Sequence, residues 1–348
     1  MTGIIGQLAR KVGRTIPPAL LRHTGRPAAL FFHGVERTTL DGRVQTNHHE
    51  LAIFEAIVAV LRRQFDVRPL ADIDRVLARP QSHRRAVFLM SDDGYANTLS
   101  VAADVLGDLP WTLFVSTAHI GTAKPNPIFL ARLFYFYAPN GVYILPHLPG
   151  NVVLADAESR RAAARAGIDP LRFLPAAKAD ETLTAMTARF APDSLKTLLD
   201  RFRSEQFLDW NGVRTLKARG VEIGAHGDTH WPMHGGQTPQ WLTRQAAGAK
   251  ARIEAETGSC RFFAYPFGNI PDIGPLAWRA VRDAGFTHAF TTLSGSLAGS
   301  LAGLAGPSNP WLLPRYGIGP ADTHLASLVP LLGAGNRRLR QFQEQLAG

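Results

Sequence analysis

"AVFLMSDDGYANTLS", residues 86–100, decides how the fold is read. Five apolar residues, Ala86 to Met90, run without a break, and two adjacent acids, Asp92 and Asp93, follow. An unbroken apolar run of this length is the pattern of a strand buried on both faces, as in a parallel sheet. In a regular strand, neighbouring side chains point to opposite faces, and an unpaired buried carboxylate is costly. The acids therefore mark the strand's end, and Gly94 gives the backbone freedom to leave the extended state. From Tyr95 onward the spacing turns helical, with Leu99, Ala102 and Leu106 on one face.

The same rhythm continues outward. Residues 27–34, PAALFFHG, read as a short buried strand that ends at His33 and a turn. Leu51, Phe54, Ile57, Val58 and Leu61 share a helix face, residues 65–70 form a second short strand, and residues 111–115 form another. Downstream, residues 210–218, 240–257 and 276–284 are helical in pattern, and residues 220–225, 262–265 and 287–291 are strands. Strands alternating with helices predict an α/β chain with a parallel sheet or barrel. Between about 121 and 205 the rhythm weakens into an aromatic patch, LARLFYFYAP, an alternating stretch, GVYILPHLPGNVVLA, and two helical stretches. This is a long insertion over one face of the core, either a lid or a structural helical subdomain. Residues 294–309 are a small-residue loop, and residues 321–348 an interrupted amphipathic helix.

The 348 residues and 45% hydrophobic content allow one large domain with a sizeable core. The single cysteine, Cys260, excludes a disulfide framework and a cysteine-rich zinc cluster. A net charge of +10 favours anionic partners in general. The arginines are scattered without an aromatic stacking module, so no nucleic-acid partner is expected. The N-terminal MTGIIGQLARKVGRTIPPALLRHTG is basic and weakly amphipathic, without the apolar core and cleavage site of a secretory signal. It reads as a surface helix or an interfacial one, with Ile4, Ile5, Leu8 and Val12 on one face. No run approaches the ~20 apolar residues of a membrane span. A cytoplasmic location is expected, with peripheral contact at an anionic inner membrane face.

Three segments carry chemistry. Asp92-Asp93-Gly94 ends a buried strand, where α/β proteins bind ligands. Adjacent carboxylates repel unless a cation or proton lies between them, so one can ligate a metal while the other stays free as a base. Asp-Asp-Gly also makes an ordinary turn. His226-Gly227-Asp228-Thr229-His230 follows another strand, and histidines four apart face one way if the segment is helical. Imidazole with carboxylate suits zinc, cobalt or nickel, and three protein ligands with an open position form the catalytic pattern. His48, His49 and His234 read as exposed loop histidines. Tyr265-Pro266-Phe267-Gly268 is a rigid turn in which the Phe267 N–H stays available to face an oxyanion.

Together and in this order, the three segments resemble the motifs of the NodB-like polysaccharide deacetylases, carbohydrate esterase family four. Ser91-Asp92-Asp93-Gly94-Tyr95 resembles the family's Thr-Phe-Asp-Asp-Gly, His226 to His230 its His-Ser-x-x-His, and Pro266-Phe267-Gly268 its Pro-Tyr-Gly. The likeness covers roughly residues 27–120 and 205–318. It implies an α/β fold, a distorted (β/α) barrel of the polysaccharide deacetylase type with a helical insertion. The barrel would span residues 27–320, between a basic segment 1–26 and a helical segment 321–348. The likeness also implies that Asp92 is the general base for a metal-bound water. Asp93, His226 and His230 would hold a divalent metal, zinc first and cobalt or nickel next. The Phe267 N–H would face the oxyanion. The implied reaction removes N-acetyl groups from an amino-sugar glycan or a lipid-linked glycan precursor. Removal of formyl groups, opening of cyclic amides, or glycan or metal binding without turnover are the alternatives.

The chain departs from the family pattern in three places. No late Leu-x-His motif supplies the general acid; His288 lies inside a strand and His324 opens the terminal helix. Leu30-Phe31-Phe32-His33 loosely matches that motif at the other end of the chain, so His33 is the expected acid, as in permuted family members. The arginine that braces the base aligns with Ala264, and Arg315 is the candidate replacement ahead of Arg261. The late Asp-x-x-Asp-Trp motif is missing.

Overall fold

The apolar run that opened the reading is strand β5, and all of its residues are buried. The computed structural model describes residues 26–297, 309–319 and 328. In chain order its strands are β1 (Ala28–Phe32), β2 (Gly34–Glu36), β3 (His48–Glu50), β4 (Asp66–Val67), β5 (Ala86–Ser91) and β6 (Thr112–Val115). They continue with β7 (Gly141–Ile144), β8 (Asn151–Leu154), β9 (Glu222–Ala225), β10 (Phe262–Ala264), β11 (His288–Phe290) and β12 (Tyr316–Gly317). The main sheet is parallel, in the order β11-β10-β9-β6-β5-β1-β12, with β4 on the early part of β5. Leu313 makes a parallel bridge to Phe290, while Tyr316 and Gly317 pair with Leu30 and Phe31. The last described segment thus links the two outer strands and closes the sheet into a distorted barrel.

Period-two alternation sorts the strand residues into two cores. Ala29, Phe31, Phe88, Met90, Phe114, Phe262, Ala264, Phe290 and Leu313 fill the interior. Leu30, Phe32, Val87, Leu89, Leu113, Val115, Ile223 and Phe263 face the surrounding helices. Helix Leu51–Gln64 covers the outer layer with Phe54, Ile57, Val58 and Leu61, and ends on Arg62 and Arg63, where cations favour the helix terminus. The interior parity continues past the strand ends, from Phe31 to His33, from Met90 to Asp92, and from Leu313 to Arg315. It therefore puts chemistry at the barrel's mouth.

Residues between β6 and β9 form a helical body with its own core. It contains helix Pro127–Tyr137, the β7–β8 hairpin, and helices Ala157–Arg172, Ala176–Thr187 and Pro192–Arg201. Phe129, Phe134, Tyr135, Leu154, Leu171, Met186 and Phe202 are buried together. The aromatic patch LARLFYFYAP, irregular by eye, is a helix begun by Asn126, whose side chain caps Ile128 and Phe129. Residues 1–25, 298–308 and those after 319, apart from Leu328, lie outside the described residues. So do the basic N-terminal segment, most of the small-residue loop and the C-terminal helical segment.

Gly224, on the interior face of β9, is required by its neighbour: a Cβ there would lie 2.5 Å from the Phe114 ring. Gly224→Val is expected to lower stability by about 1–3 kcal/mol through overpacking. The added mutation Phe114→Leu should recover part of the loss, as read by denaturant titration.

Candidate active site

The two adjacent acids reach one pocket because the backbone turns between them. Asp92 keeps the interior parity of β5, and its N–H donates to the Phe32 carbonyl. Asp93 takes a left-handed conformation, φ 76°, followed by Gly94 at 89°. Among the described non-glycine residues, only Asp93, His230 and Phe267 have positive φ, and one comes from each of the three motifs. Such conformations cost of order 1–3 kcal/mol each and persist where the surroundings over-determine them.

Asp92 is 1% exposed and forms a two-pronged ion pair with Arg315, with both N–O distances 2.8 Å. Arg315 is fully buried, donates from Nε to the Thr291 carbonyl, and stacks 4.3 Å over the Phe31 ring. Burial, the largest influence, raises the Asp92 pKa, but the Arg315 charge and hydrogen bonds together with the His226 and His33 charges more than reverse it and hold the carboxyl below its usual range. Arg261, the lesser candidate, stacks instead on Phe262.

Asp93, His226 and His230 bring their ligand atoms within 4.8 Å of one another. His230 Nε2 lies 2.8 Å and His226 Nε2 3.3 Å from Asp93 Oδ1. Both Asp93 oxygens are buried, yet neither accepts a hydrogen bond. Two bare carboxylate oxygens facing two imidazoles fit a divalent cation of borderline softness. Burial raises the Asp93 pKa, but the His230 and His226 imidazoles more than reverse this, so the carboxylate stays ionised. His226 donates from Nδ1 to the Ala264 carbonyl, 2.8 Å away, which leaves Nε2 as its ligating atom. The segment 226–230 is not helical, as the spacing alone had suggested. Left-handed Gly227 and His230 bend it, and Gln245 Oε1 accepts from the Asp228 and Thr229 N–H groups to hold the bend.

His33 stands at the same mouth, half-buried. Burial lowers its pKa, Asp93 and Asp92 pull it back up, and His226 and His230 lower it further, so it lies within electrostatic reach of all four groups. Phe267, at φ 60°, has its ring 5.2 Å from the His230 ring, and its carbonyl accepts from Thr292 Oγ1. Its N–H has no partner among the described residues.

His48, His49 and His234, which the sequence placed in exposed loops, are not exposed. His48 and His49 are 2% and 1% exposed, and His234 is 6% exposed. The helical body and its flank cover them: His48 Nε2 donates to the Ser204 carbonyl and His234 Nε2 to that of Leu174. His48 Nδ1 then faces Glu205 Oε1 at 3.2 Å, two acceptors that need a proton between them. Burial supplies it by pushing Glu205 up to about 8 and His48 down to about 4.

Sequence reasoning missed Asn126, Gln245 and Glu205. Asn126 carried a local signal, a capping residue before Pro127, but nothing nearby in sequence marks Gln245. Asn126 Nδ2 lies 3.2 Å from His230 Nδ1, and its Oδ1 is already used as a helix cap. Ligation through His230 Nε2 puts the ring proton on Nδ1, opposite an amide donor. Asn126→Asp keeps the cap and offers an acceptor instead. It is expected to tighten zinc binding about tenfold in competition with a chelator; weaker binding would contradict this geometry.

Two adjacent acids, one paired with an arginine and the other set between two imidazoles, thus stand at the C-terminal mouth of a parallel barrel. The polysaccharide deacetylase family model matches residues 79–289, more than half of the chain, which therefore belongs to that family. Among solved structures, the chain is similar to the Streptococcus pyogenes deacetylase PplD in complex with acetate: 13% identity, TM-score 0.54, covering 88% of this chain and 98% of that one. IcaB from Ammonifex degensii is similar at 14% identity and TM-score 0.53, covering 89% and 98%. A Bacillus cereus polysaccharide deacetylase is similar at 13% and 0.52, covering 88% and 69%. At these identities the likeness speaks for the fold. No curated protein matches the chain by sequence.

Proposed function

We propose that this chain is a metal-dependent deacetylase that hydrolyses N-acetyl groups of an amino-sugar glycan or a lipid-linked glycan precursor. One observation carries the proposal. Asp92 is paired with Arg315, while its neighbour Asp93 keeps two bare oxygens between His226 and His230. Two carboxylates in opposed environments suit one base and one ligand. Asp93, His226 and His230 would hold zinc, or cobalt or nickel with the same donors. Such an ion, when bound, makes a neighbouring water acidic and polarises the acetyl carbonyl.

The chain's own groups do the rest. Arg315 keeps Asp92 ionised, so Asp92 takes the proton of the attacking water. The free Phe267 N–H donates to the carbonyl oxygen as it becomes negative. The amine leaves only when protonated, and His33, in electrostatic reach of both aspartates, delivers that proton. The Arg315 pair also argues against a binding protein without turnover, because a metal site alone has no use for a second, braced carboxylate.

Asp92→Asn is expected to cost about 10²–10⁴-fold in turnover with zinc content unchanged, whereas Asp93→Asn, His226→Ala or His230→Ala should lose the metal. Acetate release from N-acetylglucosamine oligomers and lipid-linked sugars, beside formylated and cyclic amides, reads the substrate class. His33→Ala with full activity would remove it as the acid.

The pH profile tests the brace. Arg315 lowers the Asp92 pKa, so Arg315→Met lets burial raise it. Asp92 is then protonated at higher pH, and the acid limb of kcat/KM moves upward. An unmoved limb contradicts the brace.

A further inference from the structure

The helical body reaches the site through a short segment that chemistry at the metal does not use. Arg172, at the end of helix Ala157–Arg172, donates to buried Asp272, 2.9 Å away. Its guanidinium lies 5.2 Å from the Phe267 ring on one side and 5.0 Å from the Phe173 ring on the other. Phe267 in turn packs on His230. An unbroken run of flat groups therefore leads from the metal-ligating histidines out to Phe173.

Phe173 is 38% exposed, and the other large exposed apolar residues among those described are aliphatic. It is not a loose loop residue. The next carbonyl, that of Leu174, accepts from both Trp231 Nε1 and His234 Nε2, and the Ala176 N–H donates to Gln237 Oε1. The His234 ring meets the Phe173 ring edge-on at 6.1 Å. Four contacts thus fix a partly exposed aromatic ring near the Phe267 turn, although burying it would be the cheaper arrangement.

We propose that Phe173, backed by Arg172, is a glycan subsite that stacks a sugar ring of the chain beyond the residue being deacetylated. The inference rests on the deacetylase reading and narrows its substrate to an extended amino-sugar chain rather than a single sugar. A ring held rigid before binding loses little entropy on capture, and an apolar face with a cation behind it suits the C–H face and hydroxyl edge of a pyranose.

The test uses the zinc-loaded full chain and N-acetylglucosamine oligomers, β-1,4- and β-1,6-linked, from monomer to pentamer, with acetate release as readout. Wild-type kcat/KM should rise with length. Phe173→Ala should leave the monomer unchanged and raise KM for the pentamer about tenfold with kcat retained; Phe173→Trp should restore it. Phe173→Leu, apolar but not aromatic, serves if the alanine variant does not fold. An equal loss at all lengths, or none at any, with an active wild type overturns the subsite alone. A wild type active on lipid-linked sugars but inactive on every oligomer overturns the subsite alone; one inactive on every N-acetylated sugar overturns the deacetylase reading, and the subsite with it.

Discussion

Arg315 is a charge with no access to water, and the rest of the site depends on it. An ion taken from water into a protein interior loses several kcal/mol of solvation, which only well-placed partners offset. Asp92 supplies two hydrogen bonds, the Thr291 carbonyl a third, and the Phe31 and Phe114 rings flank the guanidinium. These partners come from β1, β6 and the turns that follow β5 and β11. The arginine itself comes from the segment that joins β11 to β1. One ion pair therefore joins the segment that closes the barrel to the ionisation of Asp92.

The strain at the site is concentrated and matched. Asp93, His230 and Phe267 each adopt a conformation that glycine would take more readily. Each is held by groups outside its own motif. The Leu208 N–H donates to the Gly94 carbonyl beside Asp93, Gln245 grips the loop before His230, and Thr292 binds the Phe267 carbonyl. These supports let two neighbouring acids and two histidines separated by a non-helical loop converge on one point.

The body between β6 and β9 acts as a buttress more than a lid. It has its own core, and it meets the barrel at Asn126 beside His230, at Arg172 beside Phe267, and at Leu174 beside Trp231. These contacts set the body against the residues at the barrel's mouth.

The sequence by itself determined the strand–helix rhythm, the interior parity of each strand, and the three motifs. These are local consequences of apolar periodicity and turn chemistry, and they sufficed for an α/β chain with a parallel sheet or barrel; the deacetylase barrel and the roles of Asp92, Asp93, His226 and His230 followed from the resemblance of the motifs to the family. Only the tertiary structure decided which long-range partners meet. Arg315 and Asp92 are 223 positions apart, and a candidate named by strand-end position became a bonded pair only when the barrel closed. His48, His49 and His234 looked exposed because loop composition cannot foretell that Ser204, Ile318 and Leu174 will cover them. Gln245 carried no local mark, since its role lies in an amide oxygen that meets another segment's backbone. Local pattern specifies elements, but burial and pairing belong to the packed chain.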